Sequence, residues 1–169
     1  RVSDGEPMGK FESKMRFGPP YEEQTNAIEK FVRYTEENEY GGWILKAGCG
    51  WGKTATALET AHRIGRRTLI LVHKEFFLRQ WKERIEDFFP DAKVGIIQQD
   101  RCEYVGCDFV IAMMQSLARD EGGKYPAELY EQAFGLIITD ECHRIGAQTW
   151  ASLLPRFSAR WRMGLTATP

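Results

Sequence analysis

The 169-residue sequence predicts one α/β domain, a mostly parallel central sheet with helices on both faces. Three observations carry that prediction. Apolar runs without polar alternation, such as Thr68-Leu69-Ile70-Leu71-Val72 and Leu136-Ile137-Ile138-Thr139, suit strands buried on both sides of a parallel sheet. Stretches of about 12 residues with helical spacing separate them, as right-handed crossovers require. A glycine-rich turn ending in Gly52-Lys53-Thr54 joins the first strand to the next helix, the setting of a phosphate-binding loop.

Residues 1–20 are polar, interrupted by Gly5, Pro7, Gly9, Gly18, Pro19 and Pro20, and lack a sustained period. They read as an arm or linker remnant, with the domain proper over residues 21–169. From Tyr21 the pattern turns helical, with Ala27, Ile28, Phe31, Val32 and Tyr34 mostly three or four apart and Glu22, Glu23, Glu29 and Lys30 largely opposite. Gly41-Gly42 ends that helix, and Trp43-Ile44-Leu45 reads as the first strand. A helix from about Lys53 to Ile64 closes at Gly65, and another from about Glu75 to Phe88 is stopped by Pro90. Further strands are expected over 93–97, 109–112, 136–139 and 162–165.

Bulk composition narrows the class only modestly. Net charge is −1, so any nucleic-acid contact must come from local patches. No apolar run approaches the roughly 20 residues needed to cross a bilayer, and no signal-peptide pattern opens the chain. A soluble intracellular protein without a membrane partner is expected. Of the four cysteines, Cys49 and Cys142 fall inside nucleotide motifs, which argues against a disulfide framework. Cys102 and Cys107 have no second Cys/His pair at ligand spacing and read as small apolar fillers. The chain opens on Arg1 and closes on Thr166-Ala167-Thr168-Pro169, so a piece of a longer protein is expected.

The strongest local signal is Ala47-Gly48-Cys49-Gly50-Trp51-Gly52-Lys53-Thr54. A triphosphate needs several backbone N–H groups at close range. Glycines at 48, 50 and 52 permit that approach, and the helix that follows adds the positive end of its dipole. Lys53 neutralises the β- and γ-phosphates, and the Thr54 hydroxyl ligates Mg²⁺. The second signal is Asp140-Glu141-Cys142-His143 at the end of an apolar strand. Alone, Asp140 would read as a helix cap. Downstream of a phosphate-binding loop, it reads as a Mg²⁺ carboxylate acting partly through water, with Glu141 as the base for the attacking water.

In motif content and order, residues 21–169 resemble superfamily 2 helicases of the DExH type. Residues 47–54 look like motif I, 140–143 like motif II, and Thr166-Ala167-Thr168-Pro169 like motif III. The resemblance implies a RecA-like P-loop domain using ATP and Mg²⁺, and a second RecA-like domain that carries an arginine finger. Lacking that finger, the chain alone should hydrolyse ATP barely. Ala47, where the motif usually begins with glycine, is a mild departure.

Gln24 resembles the Q-motif glutamine, whose amide reads the adenine edge through two hydrogen bonds. Phe17 or Tyr21 would stack on the base. His143 would link the ATP site to Thr166 and Thr168, coupling nucleotide state to the nucleic-acid groove. The regions around Lys74 and around Gln115-Ser116 resemble motifs Ia and Ib, which face one nucleic-acid strand and mainly touch phosphates. Arg79, Lys82 and Arg84 read as a solvated helix face, whereas Phe77, Trp81, Ile85 and Phe88 read as core. Residues 134–143 and 160–169 look most like XPB-type and phage DNA-repair helicases, which favours DNA over RNA. The expected function is an ATP-dependent DNA helicase or translocase motor. The alternatives are the motor of a restriction enzyme, an RNA helicase, or a nucleotide-gated clamp that does not translocate.

Overall fold

A computed structural model describes residues 2–19, 21–120, 123–144 and 146–167. The chain alternates strands and helices in the expected order. It begins with α1 (Glu22–Glu37), β1 (Gly41–Lys46), α2 (Lys53–Ile64), β2 (Thr68–Val72), α3 (Glu75–Phe88) and β3 (Val94–Gln98). There follow β4 (Arg101–Cys102), β5 (Phe109–Met113), α4 (Met114–Ala118), α5 (Ala127–Glu131), β6 (Leu136–Thr139), α6 (Ala147–Leu153) and β7 (Trp161–Thr166). Short 3₁₀ turns occupy Cys142–Arg144 and Leu154–Arg156.

The strands form one sheet in the order β1-β7-β6-β2-β5-β3-β4, parallel except where β4 pairs antiparallel with β3. Successive side chains on a strand point to opposite faces, and the core divides accordingly. Ile70, Val72, Ile111, Leu136, Ile138 and Met163 pack with α2 and α3 residues such as Leu58 and Trp81. Leu69, Leu71, Val110, Ala112 and Ile137 pack on the other face with Leu117, Leu129 and Leu153. The mostly parallel sheet, covered on both sides over its central strands, is a RecA-like fold. The short elements α4, α5, α6 and β4 were not expected; at two to seven residues they are too brief to show a period.

Residues 2–19 lie on the domain as an extended strap. Ser3 bridges to Ala159 and Pro7 to Arg66. The Gly9 amide donates to Asp108 Oδ1 at 2.7 Å, and Lys14 N–H donates to Phe88 O at 2.8 Å. Phe11 stacks on His62 and packs edge-on against Phe89, while Met8 is buried. The few apolar residues that anchor the strap sit in a polar stretch broken by Gly5, Pro7, Gly9 and Gly18, which hides its packing from pattern reading.

Parallel strands end on the same side, so the segments following β1, β2, β5, β6 and β7 share one edge. Apart from Gln24, which α1 brings to the β1–α2 loop from ahead of β1, the sequence-predicted site residues within the described part lie along that edge or on the helices opening from it.

Candidate nucleotide and nucleic-acid site

The loop between β1 and α2 takes the conformation its glycines allow. Gly50 and Gly52 have φ of 78° and 97°, backbone that an L side chain rarely adopts, and Gly52 is the N-cap of α2. That cap residue has no side chain to occupy the free N–H groups of the first turn, which leaves them for an anion. The Lys53 ammonium folds back over the loop and donates to Ala47 O at 2.7 Å and Gly48 O at 3.0 Å. Gly48 and Cys49 are exposed at the loop apex, and Thr54 follows Lys53 in the first turn.

Across the sheet edge, Asp140 follows β6, two strands from β1 and about 10 Å away by ordinary strand spacing. Its backbone N–H donates to Leu71 O at 3.1 Å. Its carboxylate accepts from Trp81 Nε1–H at 2.8 Å on one oxygen and from Glu141 N–H at 2.9 Å on the other. Burial pushes the Asp140 carboxyl above the usual carboxylate range, and neighbouring Glu141 adds to this; the Trp81 donor opposes it. Glu141 sits in left-handed backbone at φ 50°, a strained position for a residue with a side chain.

From there a short relay runs to β7. His143 Nε2 lies 3.3 Å from Glu141 Oε2, and His143 Nδ1 lies 2.8 Å from Thr166 Oγ1. A carboxylate only accepts, so in the neutral ring Nε2 carries the proton toward Glu141 and Nδ1 is left to accept from the Thr166 hydroxyl. Arg144 also approaches Glu141 at 3.6 Å. Thr168, expected to share the relay, lies outside the described residues.

Beside the loop a cavity of about 280 Å³ is lined by Met15, Phe17, Tyr21, Gln24, Trp51 and Phe88 among others. Gln24 is 9% exposed. Its Nε2 donates to Trp51 O at 2.7 Å, whereas its Oε1 is buried with no partner. The Trp51 indole N–H donates to Glu23 Oε2 at 2.9 Å. A larger cavity of about 680 Å³ opens on the uncovered face of β1 and β7, beside Ile44, Gly164 and His143. Its nearly apolar wall does not suit a triphosphate.

At the β2 and β5 ends, Lys74 is the exposed N-cap of α3. Gln115 Nε2 donates to His73 O at 2.7 Å, and Ser116 Oγ accepts from Gln99 N–H at 3.0 Å. These three residues lie along one stretch of the edge.

Sequence reading missed two features here. Trp81 belongs to the core, as expected, but its indole N–H also holds the Asp140 carboxylate; a long-range contact of this kind leaves no local signature. Phe76, 60% exposed beside Lys74, was given no role. Nothing but its aromatic type next to the motif Ia region could have flagged it.

Residues 18–169 match the family described as "Type III restriction enzyme, res subunit". The chain belongs to that family, within the superfamily 2 helicases. This superfamily 2 domain is 37% identical over 144 residues to a protein of Acanthamoeba polyphaga mimivirus provisionally named an ATP-dependent RNA helicase, covering 85% of the chain and 26% of that protein. It is 34% identical over 128 residues to the DNA 3'-5' translocase XPB2 of Sulfurisphaera tokodaii, covering 75% of the chain and 27% of the relative. It superposes on the Sulfolobus solfataricus SWI2/SNF2 ATPase core in complex with dsDNA with a TM-score of 0.75, at 18% identity, over 97% of the chain and 34% of that structure. The UvsW helicase of bacteriophage T4 gives a TM-score of 0.69 at 19% identity, over 95% of the chain and 55% of that structure. The domain thus spans about a quarter of the length of these two curated relatives. Among its described residues, no helix is long and apolar enough to cross a membrane.

Proposed function

We propose that this chain is the ATP-binding motor domain of a DNA helicase or translocase, coupling ATP hydrolysis to movement on nucleic acid. The observation that carries the reading is the shared sheet edge, with the Lys53 loop on one side, Asp140-Glu141 two strands away, and the Glu141–His143–Thr166 relay leading off it. The loop amides and Lys53 bind the β- and γ-phosphates. The Thr54 hydroxyl and the Asp140 carboxylate are hard oxygen donors and suit Mg²⁺. That ion, when bound, offsets charge on the phosphates. Glu141 orients the attacking water and takes its proton. Gln24 and the aromatic cavity beside it hold the base. Lys74, Gln115 and Ser116 touch the phosphates of a nucleic-acid strand, and the relay passes nucleotide state toward that groove.

The complete motor needs a second RecA-like domain with an arginine finger, a group worth roughly 10³–10⁵ in rate. The chain alone is therefore expected to bind ATP–Mg²⁺ weakly and turn it over barely. In the full-length protein, Lys53→Ala should abolish nucleotide binding, and Glu141→Gln should keep binding but lose hydrolysis. Intact hydrolysis in Glu141→Gln would refute the base assignment. The name of the mimivirus relative favours an RNA-directed reading, and the family description a restriction motor. ATPase stimulation by duplex DNA but not by RNA supports the DNA reading; the reverse supports the RNA one.

A further inference from the structure

The base cavity departs from the two-bond reading of adenine in a way that involves Glu23 and the loop residue Trp51. The Gln24 side chain is more than nine-tenths buried in the cavity wall. Its amide orientation is fixed, since exchanging nitrogen and oxygen would set two oxygens 2.7 Å apart at Trp51 O. The donor is therefore committed to the loop. What remains for a ligand is Oε1, a buried acceptor that lacks a partner. Leaving such an atom unpaired is unfavourable, and a bound base with a suitably placed N–H satisfies it.

The position of Trp51 O decides this arrangement, and a second bond governs Trp51. Its indole N–H donates to Glu23 Oε2 at 2.9 Å, so consecutive residues of α1 grip the same loop residue, one through its backbone and one through its side chain. The Trp51 end of the loop and the first turn of α1 are thereby held in register.

We infer that the Glu23–Trp51 hydrogen bond is a specificity latch of the nucleotide site. By fixing Trp51 against α1 it leaves Gln24 only its amide oxygen to present, which selects a base bearing an amino group over one bearing a carbonyl at the ring position that faces it. At C6 of the purine or C4 of the pyrimidine, adenine and cytosine carry an amino donor, whereas guanine, hypoxanthine and uracil carry a carbonyl acceptor. Glu23 and Trp51 are positioning residues acting through Gln24. The inference rests on the nucleotide-site reading above, and the test separates the two.

Affinities of the chain for ATP, inosine triphosphate and inorganic tripolyphosphate, each with Mg²⁺, are measured by calorimetry for the wild type, Glu23→Ala, Glu23→Gln and Trp51→Phe. Wild type should prefer ATP to inosine triphosphate. Glu23→Ala should narrow that preference about three- to tenfold, the range for one hydrogen bond, by weakening ATP while leaving tripolyphosphate unchanged, and Trp51→Phe should narrow it by a similar factor. Glu23→Gln still offers an oxygen to the indole and should keep the wild-type preference. An unchanged preference in Glu23→Ala and Trp51→Phe overturns the latch. So does a wild type that does not discriminate, or an equal loss for all three ligands, which would mean a disrupted loop. A wild type that binds neither ATP nor tripolyphosphate sinks the nucleotide-site reading itself, and the latch with it.

Discussion

Trp81→Phe isolates one interaction at the candidate metal site. The substitution keeps an aromatic ring in a position that is 1% exposed but deletes the N–H that donates to Asp140 Oδ2 at 2.8 Å. A hydrogen bond to a charged group contributes about 1.5–3 kcal/mol. Glu141 N–H still holds the other oxygen, so the lower end applies, and Mg²⁺-dependent ATP affinity should fall about tenfold. The ring loss itself should lower stability by on the order of 1–2 kcal/mol, which leaves a folded protein. The effect also has a pH signature. Burial already raises the Asp140 carboxyl and the Trp81 donor opposes that rise, so deleting the donor moves it further up. An acid loses its charged form as pH falls through its pKa, so the defect should be larger at pH 6 than at pH 8. The assay is titration of a fluorescent ATP analogue with Mg²⁺, repeated in EDTA, where the variant and wild type should match. A folded variant with unchanged Mg²⁺-dependent affinity, or one equally impaired in EDTA, would refute the reasoning.

Other predictions follow from the same physics elsewhere in the domain. Burial pushes the Asp120 carboxyl up, but the Tyr130 hydroxyl, the Tyr125 and Lys124 amides and Arg156 together outweigh it and hold it below its ordinary value. Its stabilising contribution is therefore present above the ordinary carboxylate pKa and lost as pH falls through the lowered one. Asp120→Asn should lower stability by about 3 kcal/mol at pH 7 in urea unfolding, with the gap closing toward pH 3; a gap independent of pH would contradict this. If Lys74 touches a phosphate, Lys74→Ala in the full-length protein should weaken binding to all sequences alike. It should also reduce the slope of log affinity against log salt by about 0.7–0.9, as read by fluorescence anisotropy.

How much was legible can be judged residue by residue. The chemistry-bearing motifs are contiguous: Lys53 and Thr54 follow their glycines directly, and Asp140 and Glu141 follow their strand directly. Backbone continuity alone carries such groups to the end of a strand, and the uniform apolar runs of β2, β5 and β6 announce burial on two faces. Gln24 was legible through family resemblance, but the engagement of its donor by Trp51 was not. Nor could Met8, Phe11 and Met15, spaced three and four residues apart like a short helix face, reveal that the N-terminal arm packs along the domain as an extended strap.

What the amino-acid order alone determined is the alternation of elements and the identity of the groups placed at strand ends, because both depend on neighbours a few residues apart. Tertiary structure decided which of those groups meet. Trp81 reaches Asp140 across 59 residues, and Thr166 reaches His143 across 23. Those contacts depend on the strand order that sets β7 between β1 and β6 and β2 beside β6, and on α3 packing over the sheet. Strand order is a property of the assembled sheet, and no local periodicity encodes it.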